Sequence, residues 1–263
     1  MIKAVMFVAL AALAVPAQAK VDPEQAARLG QDLTPLGAER AANAAGSIPE
    51  WTGGITIPPP GYSVGMHHLD PYATDQPLFV INQQNLEQYS AQLPVGIQEL
   101  VKRNPDYYVQ VFPTRRSASA PQRIYAATRA NAEQAQLISG GNGVQGAAAG
   151  IPFPLPQNGV EVIWNHIMRY RGEQMSSMVN HAAVLSNGSY SLVKRKRDVY
   201  FVYGRAGMTE QELNNTLFYY KYRVLAPASV AGSSLVVEET LDQILALRKA
   251  WRFSRAERRV RSL

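Results

Sequence analysis

Residues 178–204 read MVNHAAVLSNGSYSLVKRKRDVYFVYG, two runs of alternating character on either side of Asn187-Gly188. An Asn-Gly pair in that setting is the strongest short-range hairpin signal. A type I′ turn needs positive φ at both central positions, and these two residues tolerate it. The stretch therefore predicts two antiparallel strands. Toward the C-terminus, TLFYYKYRVLAP (216–227) and SSLVVEETL (233–241) read as two more strands, with Pro227 and Gly232 in the turn between them. Thr209 and Glu212, three residues apart, predict a brief capped helix ahead of them.

Immediately N-terminal lies GIPFPLPQNGVEVIWNHIMRYRG, residues 150–172. From Val160, the residues Ile163, Trp164, Ile167 and Met168 fall at i+3, i+4, i+7 and i+8, one apolar stripe at helical period. Glu161, Asn165, His166 and Arg169 occupy the other side. Asn158 with Glu161 three residues later resembles a capping box, and Gly172 reads as the stop. The prolines before Asn158 fit neither a helix nor a central strand, so PFPLP is a rigid lead-in.

Farther back, helices and loops alternate. Asp22-Pro23 opens a helix that Gly30 ends, and Thr34-Pro35 repeats the device toward Gly46. SIPEWTGGITIPPPGYSVG (47–65) has too many breakers for a regular element. An apolar run at Leu78–Ile81, helices over Asn85–Leu93 and Val95–Arg103, a strand in DYYVQVFP and a helix from Pro121 to Ile138 follow. SGGNGVQGAAAG (139–150) reads as a flexible connector.

The predicted fold is α+β. A curved antiparallel sheet carries helices on its concave face, and a helix-and-loop region forms the N-terminal half. The segments are 1–19, 20–149, 150–247 and a basic tail at 248–263. Phe218, Tyr220, Tyr222 and Val224 share one face of their strand, while Leu217, Tyr219 and Leu225 share the other. Either face could receive the Trp164 stripe or an alkyl chain.

Residues 1–19 have the three parts of a secretory signal peptide: Lys3, an apolar run from Ala4 to Val15, and Ala17-Gln18-Ala19 before Lys20. The chain has no cysteine, so disulfides, thiolate nucleophiles, cysteine metal sites and lipidation at the cleavage site are excluded. A periplasmic, non-lipidated protein is expected. The formal charge of +6 is concentrated in residues 248–263, where seven Lys and Arg residues face Glu257 alone. That end reads as a solvated charged tail suited to peripheral membrane contact, and the compartment argues against nucleic acid.

Catalytic signals are weak. GNGVQG (141–146) matches a dinucleotide fingerprint, but a predicted helix precedes it where a strand is required, so no cofactor is expected. His67, His68 and Asp70 lie in a breaker-rich loop with no spacing that aims them at a metal. His166 has Arg169 one turn away but no nucleophile elbow or acidic dyad, and it reads as anchoring the polar side of a packed helix. Glu238 and Glu239 point to opposite faces of a strand and read as rim charges. SLVKRKRDV puts Lys194 and Lys196 on one face and Arg195 and Arg197 on the other, an edge-protecting pattern.

The order of LTPLGAERAANAAGSIPEWTGG (33–54), NPDYY (104–108), FPTRRSASAPQ (112–122), residues 150–172, RKAW (248–251) and RRVR (258–261) resembles a Gram-negative periplasmic family of unknown function described as outer-membrane lipoprotein-sorting-like. The resemblance implies a fold related to the Lol-type lipoprotein carriers and receptors. In these, a curved antiparallel sheet forms an open half-barrel that holds acyl chains beneath helices, and outer-membrane barrels or transporters are partners. The family continues past RRVR, so an incomplete half-barrel is expected here, and Phe253-Ser254-Arg255-Ala256 departs from the family pattern.

A non-enzymatic carrier of lipid, lipidated protein or another hydrophobic compound is the expected function. Alternatives are a scaffold docking on an outer-membrane barrel or transporter, and an envelope hydrolase using His166. Val160, Ile163, Trp164, Ile167, Met168, Phe218, Tyr220 and Tyr222 are the expected ligand contacts or helix–sheet seal. Asn165, His166, Arg169 and Arg171 form the expected polar rim.

Overall fold

The computed structural model describes residues 21–263; the signal-peptide reading lies outside them. The chain forms two compact units, one of residues 28–125 and one of residues 126–263 together with 21–27.

The 28–125 unit is built from short elements. Strands β1 (Phe79–Ile81) and β2 (Val109–Val111) pair antiparallel, and helices α2 (Leu86–Tyr89) and α3 (Val95–Arg103) lie between them in the chain. Ile81, Leu86 and Val101 form a small core, where Phe79 stacks on Tyr89 at 4.8 Å. The helix expected from Thr34 toward Gly46 does not form. The Thr34 hydroxyl accepts from the Ala38 N–H and its carbonyl from the Gly37 N–H, while the Thr34 N–H donates to the Ala38 carbonyl, making a turn. Beyond it, the Arg116 guanidinium donates to the carbonyls of Glu39, Arg40, Ala41 and Pro49. Those carbonyls are thus satisfied by a side chain from far along the sequence rather than by a helical ladder.

The larger unit contains α1 (Pro23–Ala27), α4 (Gln122–Gln134, which begins just before the boundary), the hairpin β3 (Gln136–Ile138) and β4 (Gly143–Gln145), α5 (Gly159–Met168) and α6 (Glu210–Leu213). Its main feature is a six-stranded antiparallel sheet of β5 (Gln174–Val184), β6 (Tyr190–Phe201), β7 (Thr216–Ala226), β8 (Ser234–Thr240), β9 (Lys249–Ser254) and β10 (Arg259–Ser262). The strands run in simple meander order, with β5 and β10 at the edges, so the sheet is curved and not closed: an α+β open half-barrel. Register shifts at Lys194/Arg195 and Thr216/Phe218 are irregularities of the kind that increase local bend and twist.

The Asn187-Gly188 hairpin forms with the expected strands but a different turn. Gly188 has φ 79° while Asn187 is not in the positive region, and the Gly188 N–H donates to the Leu185 carbonyl. This is a type I turn followed by a left-handed glycine, the three-residue alternative to type I′. It also places β6 between β5 and β7, so the KRKR strand is internal and does not guard an edge. The alternation itself holds: Lys194 and Lys196 are exposed and Arg195 and Arg197 half-buried.

Two further expectations are corrected. Residues 136–138, expected as the end of a helix, and 139–145, expected as flexible connector, form an ordered hairpin. A Cβ on Gly143 would stand 2.9 Å from Asp242 Cβ, and one on Gly146 2.4 Å from the Gln134 carbonyl oxygen. The glycines of GNGVQG are there for close packing. The basic end is not a solvated tail, because Lys249–Ser254 pairs with β8 as β9 and buries Ala250, and Arg259–Ser262 pairs onto it as β10.

The core of this unit gathers at one end of the sheet. Trp164 and Met168 pack with Phe153, Val202, Tyr203, Leu213, Leu217 and Leu241. Asp242 fastens this end: the Ser139 hydroxyl and the Ile244 and Leu245 N–H groups donate to its carboxylate, at 2.6, 2.8 and 3.1 Å. The Ser139 hydrogen bond above all, then the two backbone bonds, holds this carboxyl below the usual carboxylate range. A depressed folded-state pKa contributes stability that is complete above the unfolded value near pH ~4 and is lost as pH falls through the folded value. Asp242→Asn is therefore expected to be less stable than the native chain at pH 7, with the difference closing below about pH 4 in urea-unfolding midpoints measured across pH. A difference that stayed constant to pH 3 would contradict this.

Candidate functional site

Helix α5 forms where the period predicted it, and its start is capped as expected. The Asn158 side chain accepts from the Glu161 N–H at 3.1 Å. Its buried face, however, is turned from the predicted stripe. Trp164 is 6 % exposed and Met168 2 %, but Val160 is 45 % and Ile163 60 %, while Ile167 is half-buried. The reason lies in the proline lead-in. Glu161 accepts from the Gln157 N–H at 2.6 Å and from Asn158 Nδ2 at 3.0 Å, and Asn165 both donates to and accepts from the Phe153 backbone. Once these polar groups are paired they can be buried, so the helix lays Glu161, Asn165 and Trp164 against the lead-in and the core. Val160 and Ile163 are corrected from sealing residues to exposed ones, and Asn165 from rim to lead-in contact.

The helix ends at Met168, four residues before Gly172, the expected stop. Arg169 adopts φ −58° and ψ 142°, outside the helical region. This has a consequence for the rim. In a helix Arg169 and Arg171 would diverge by about 200°, whereas extended backbone brings i and i+2 to the same side. Both line a cavity of about 260 Å³ with Trp164, His166 and Ile167 of α5. The opposite wall is Leu217 and Phe218 of β7, Glu239 and Thr240 of β8, and Gln243 and Arg248 beyond β8. Of the predicted residues, Trp164, His166, Ile167, Arg169, Arg171 and Phe218 are brought together here.

The electrostatics are asymmetric. The buried Glu239 is held by Arg248 Nε at 2.7 Å and Gln243 Nε2 at 3.3 Å. It is not the rim charge that strand alternation suggested. Arg171 has only the Phe201 ring, 4.6 Å from its guanidinium carbon, and no carboxylate partner among the described residues. Its pKa is lowered, first by desolvation and then by repulsion from Arg169 and Arg197. A guanidinium remains protonated in a protein, so the shift signals uncompensated positive charge. Thr240 is buried, and its hydroxyl has no hydrogen-bond partner among the described residues.

Arg169 also donates to the His166 carbonyl, and the exposed His166 ring has no hydrogen-bond partner among the described residues. No group of three or more potential metal ligands occurs among them either. His67 and His68 are exposed in their loop, and His68 meets Tyr62 edge-on with ring centroids 5.8 Å apart.

The cavity opens on one face of the sheet. Registers place Met175, Val199, Tyr220, Val237 and Ala250 side by side in one row across five strands, with Phe201, Phe218 and Glu239 in the row nearest α5. The next row outward is Ser177, Arg197, Tyr222, Leu235 and Arg252, and beyond it Val179, Arg195 and Val224. Arg195 lies over the Tyr222 ring at 4.8 Å, and Arg197 donates to the Ser177 hydroxyl at 3.0 Å. These side chains are half-buried or buried, Arg252 excepted, whereas Lys196, Tyr219, Lys221 and Val236 on the opposite face are exposed. Past the register shift, where Leu217 packs in the core with Trp164, the more buried face of β7 is that of Phe218, Tyr220, Tyr222 and Val224.

Glu239, Thr240, Gln243 and Arg248 were missed as site residues. Their only sequence signals were a glutamate at the end of an apolar strand and one arginine counted with the tail.

No helix among the described residues is long and apolar enough to cross a membrane. A family model described as "Protein of unknown function (DUF1329)" matches residues 80–263. An uncharacterized protein of Pseudomonas aeruginosa, PA3922, is 44 % identical over 254 residues, which cover 96 % of this chain and 56 % of that relative. The chain thus spans little more than half of that relative's length. No solved structure matches.

Proposed function

We propose that this chain, which belongs to the DUF1329 family of proteins of unknown function, is a non-enzymatic periplasmic carrier that takes up a lipid, a lipidated protein or another hydrophobic compound in outer-membrane trafficking. The observation that carries the proposal is the Met175, Val199, Tyr220, Val237, Ala250 row, an apolar track across the inner face of an unclosed sheet. Burying an alkyl chain contributes about 0.8 kcal/mol per methylene. Ten methylenes supply about 8 kcal/mol, comparable with the loss of about 4–15 kcal/mol in translational and rotational freedom on association. The sheet is unclosed, which suits loading and release of a chain.

Delipidated protein titrated with a fluorescent fatty-acid analogue is expected to take it up saturably, and native mass spectrometry of untreated protein to find co-purified lipid. Tyr220→Asp, which sets a carboxylate on the track, should weaken uptake at least about tenfold. Tyr219→Asp, on the opposite face of the same strand, should not. No uptake together with no co-purified lipid, or equal behaviour of the two variants, would refute carriage on this face.

A further inference from the structure

The cavity at the end of the track has chemistry that an apolar compound would not use. About 260 Å³ is below the roughly 300–1,000 Å³ of sites that enclose a whole small ligand, so it is the size of a head rather than a molecule. Resting on the carrier reading, we propose that the cargo is an amphipathic anion. Its carboxylate or phosphate head sits among Arg169, Arg171 and Arg248, and its tail runs along the Val199, Tyr220, Val237 row.

Three observations converge on a negatively charged head. Arg169 and Arg171 are set on one side of an extended segment, facing Arg248 across the cavity, and the one carboxylate present, Glu239, is already held by Arg248 and Gln243. Arg171 stands solvent-exposed at the cavity wall, with the Phe201 ring and no carboxylate against its guanidinium. The Thr240 hydroxyl, on the same wall, is buried without a partner, a costly arrangement that a head-group oxygen would relieve. Planar guanidinium forks match carboxylate and phosphate oxygens in pairs, so both heads fit and a neutral alcohol does not. Phe201 and Phe218, in the row nearest α5, form the step from the charged cavity to the apolar track.

The test is a binding comparison of hexadecanoate, hexadecyl phosphate and hexadecanol on delipidated protein. At least one of the two anions is expected to bind about tenfold more tightly than the alcohol, the gain of one or two charge-assisted hydrogen bonds; which of them leads identifies the head. Arg171→Gln should reduce that preference to about twofold, with Arg171→Lys intermediate, and Thr240→Val should reduce it a few-fold, circular dichroism confirming that each variant is folded. Binding of all three ligands with equal affinity, or a preference that survives Arg171→Gln, overturns the anionic head and leaves carriage standing. Binding of none overturns both.

Discussion

Trp164→Ala is expected to cost the larger unit about 3–5 kcal/mol, the range for removing a large buried aromatic side chain. Trp164 is the centre of the core at the α5 end of the sheet, in one cluster with Phe153 from the lead-in, Val144 from β4, Leu217 from β7 and Leu241 after β8. Its Nε1 donates to the Gly141 carbonyl at 3.0 Å, which ties the helix to the β3–β4 hairpin. Alanine would leave a cavity in that cluster and an unpaired carbonyl beside it. In thermal unfolding the midpoint should fall by the order of 10–20 °C. Trp164→Phe, which keeps most of the volume and loses the hydrogen bond, should cost roughly 1–2 kcal/mol. A fall of only two or three degrees in the alanine variant would mean that the helix is not the keystone of this core. Because Trp164 also walls the cavity, cargo binding should fall with it.

The second large effect is expected in the 28–125 unit. Gly54 has φ +71°, and a Cβ there would stand 2.3 Å from the Ala118 carbonyl oxygen and 2.7 Å from that of Ser117. These are backbone atoms and cannot swing aside. They belong to the strip that holds the preceding loop: Ile55 N–H donates to the Ser117 carbonyl at 2.9 Å, Trp51 Nε1 to the Ala118 carbonyl at 3.0 Å, and the Ser119 hydroxyl to the Ile55 carbonyl. Gly54→Ala must therefore separate the two segments as well as adopt a left-handed conformation, which alone costs about 1–2 kcal/mol. With the displaced hydrogen bonds, a loss of the order of 3–4 kcal/mol is expected. Gly53 is the control. It has φ +114° but nothing within 4 Å of the added carbon, so Gly53→Ala should cost only the backbone term, about 1–3 kcal/mol. Hydrogen exchange read by mass spectrometry on peptides covering 39–55 and 115–119 would show the difference. Equal protection in the two variants would refute the steric argument.

What the sequence by itself determined is the local structure. The hairpin strands around Asn187-Gly188, the amphipathic helix after Asn158, the capping box of Thr209 and Glu212 and the α+β class all follow from periods and caps that span a few residues. The tertiary structure decided where those elements face. A 3.6-residue stripe shows which residues are apolar, but not that Glu161 and Asn165 would find partners in a proline segment and turn Val160 and Ile163 outward. Nor could spacing reveal that extended chain after Met168 would align Arg169 with Arg171, or that Glu239, Thr240 and Arg248 would meet them from the far side of a cavity. Such a site is assembled when α5 and the segment after it pack against the end of a sheet some seventy residues farther along the chain, and packing at that distance leaves no period in the sequence to read.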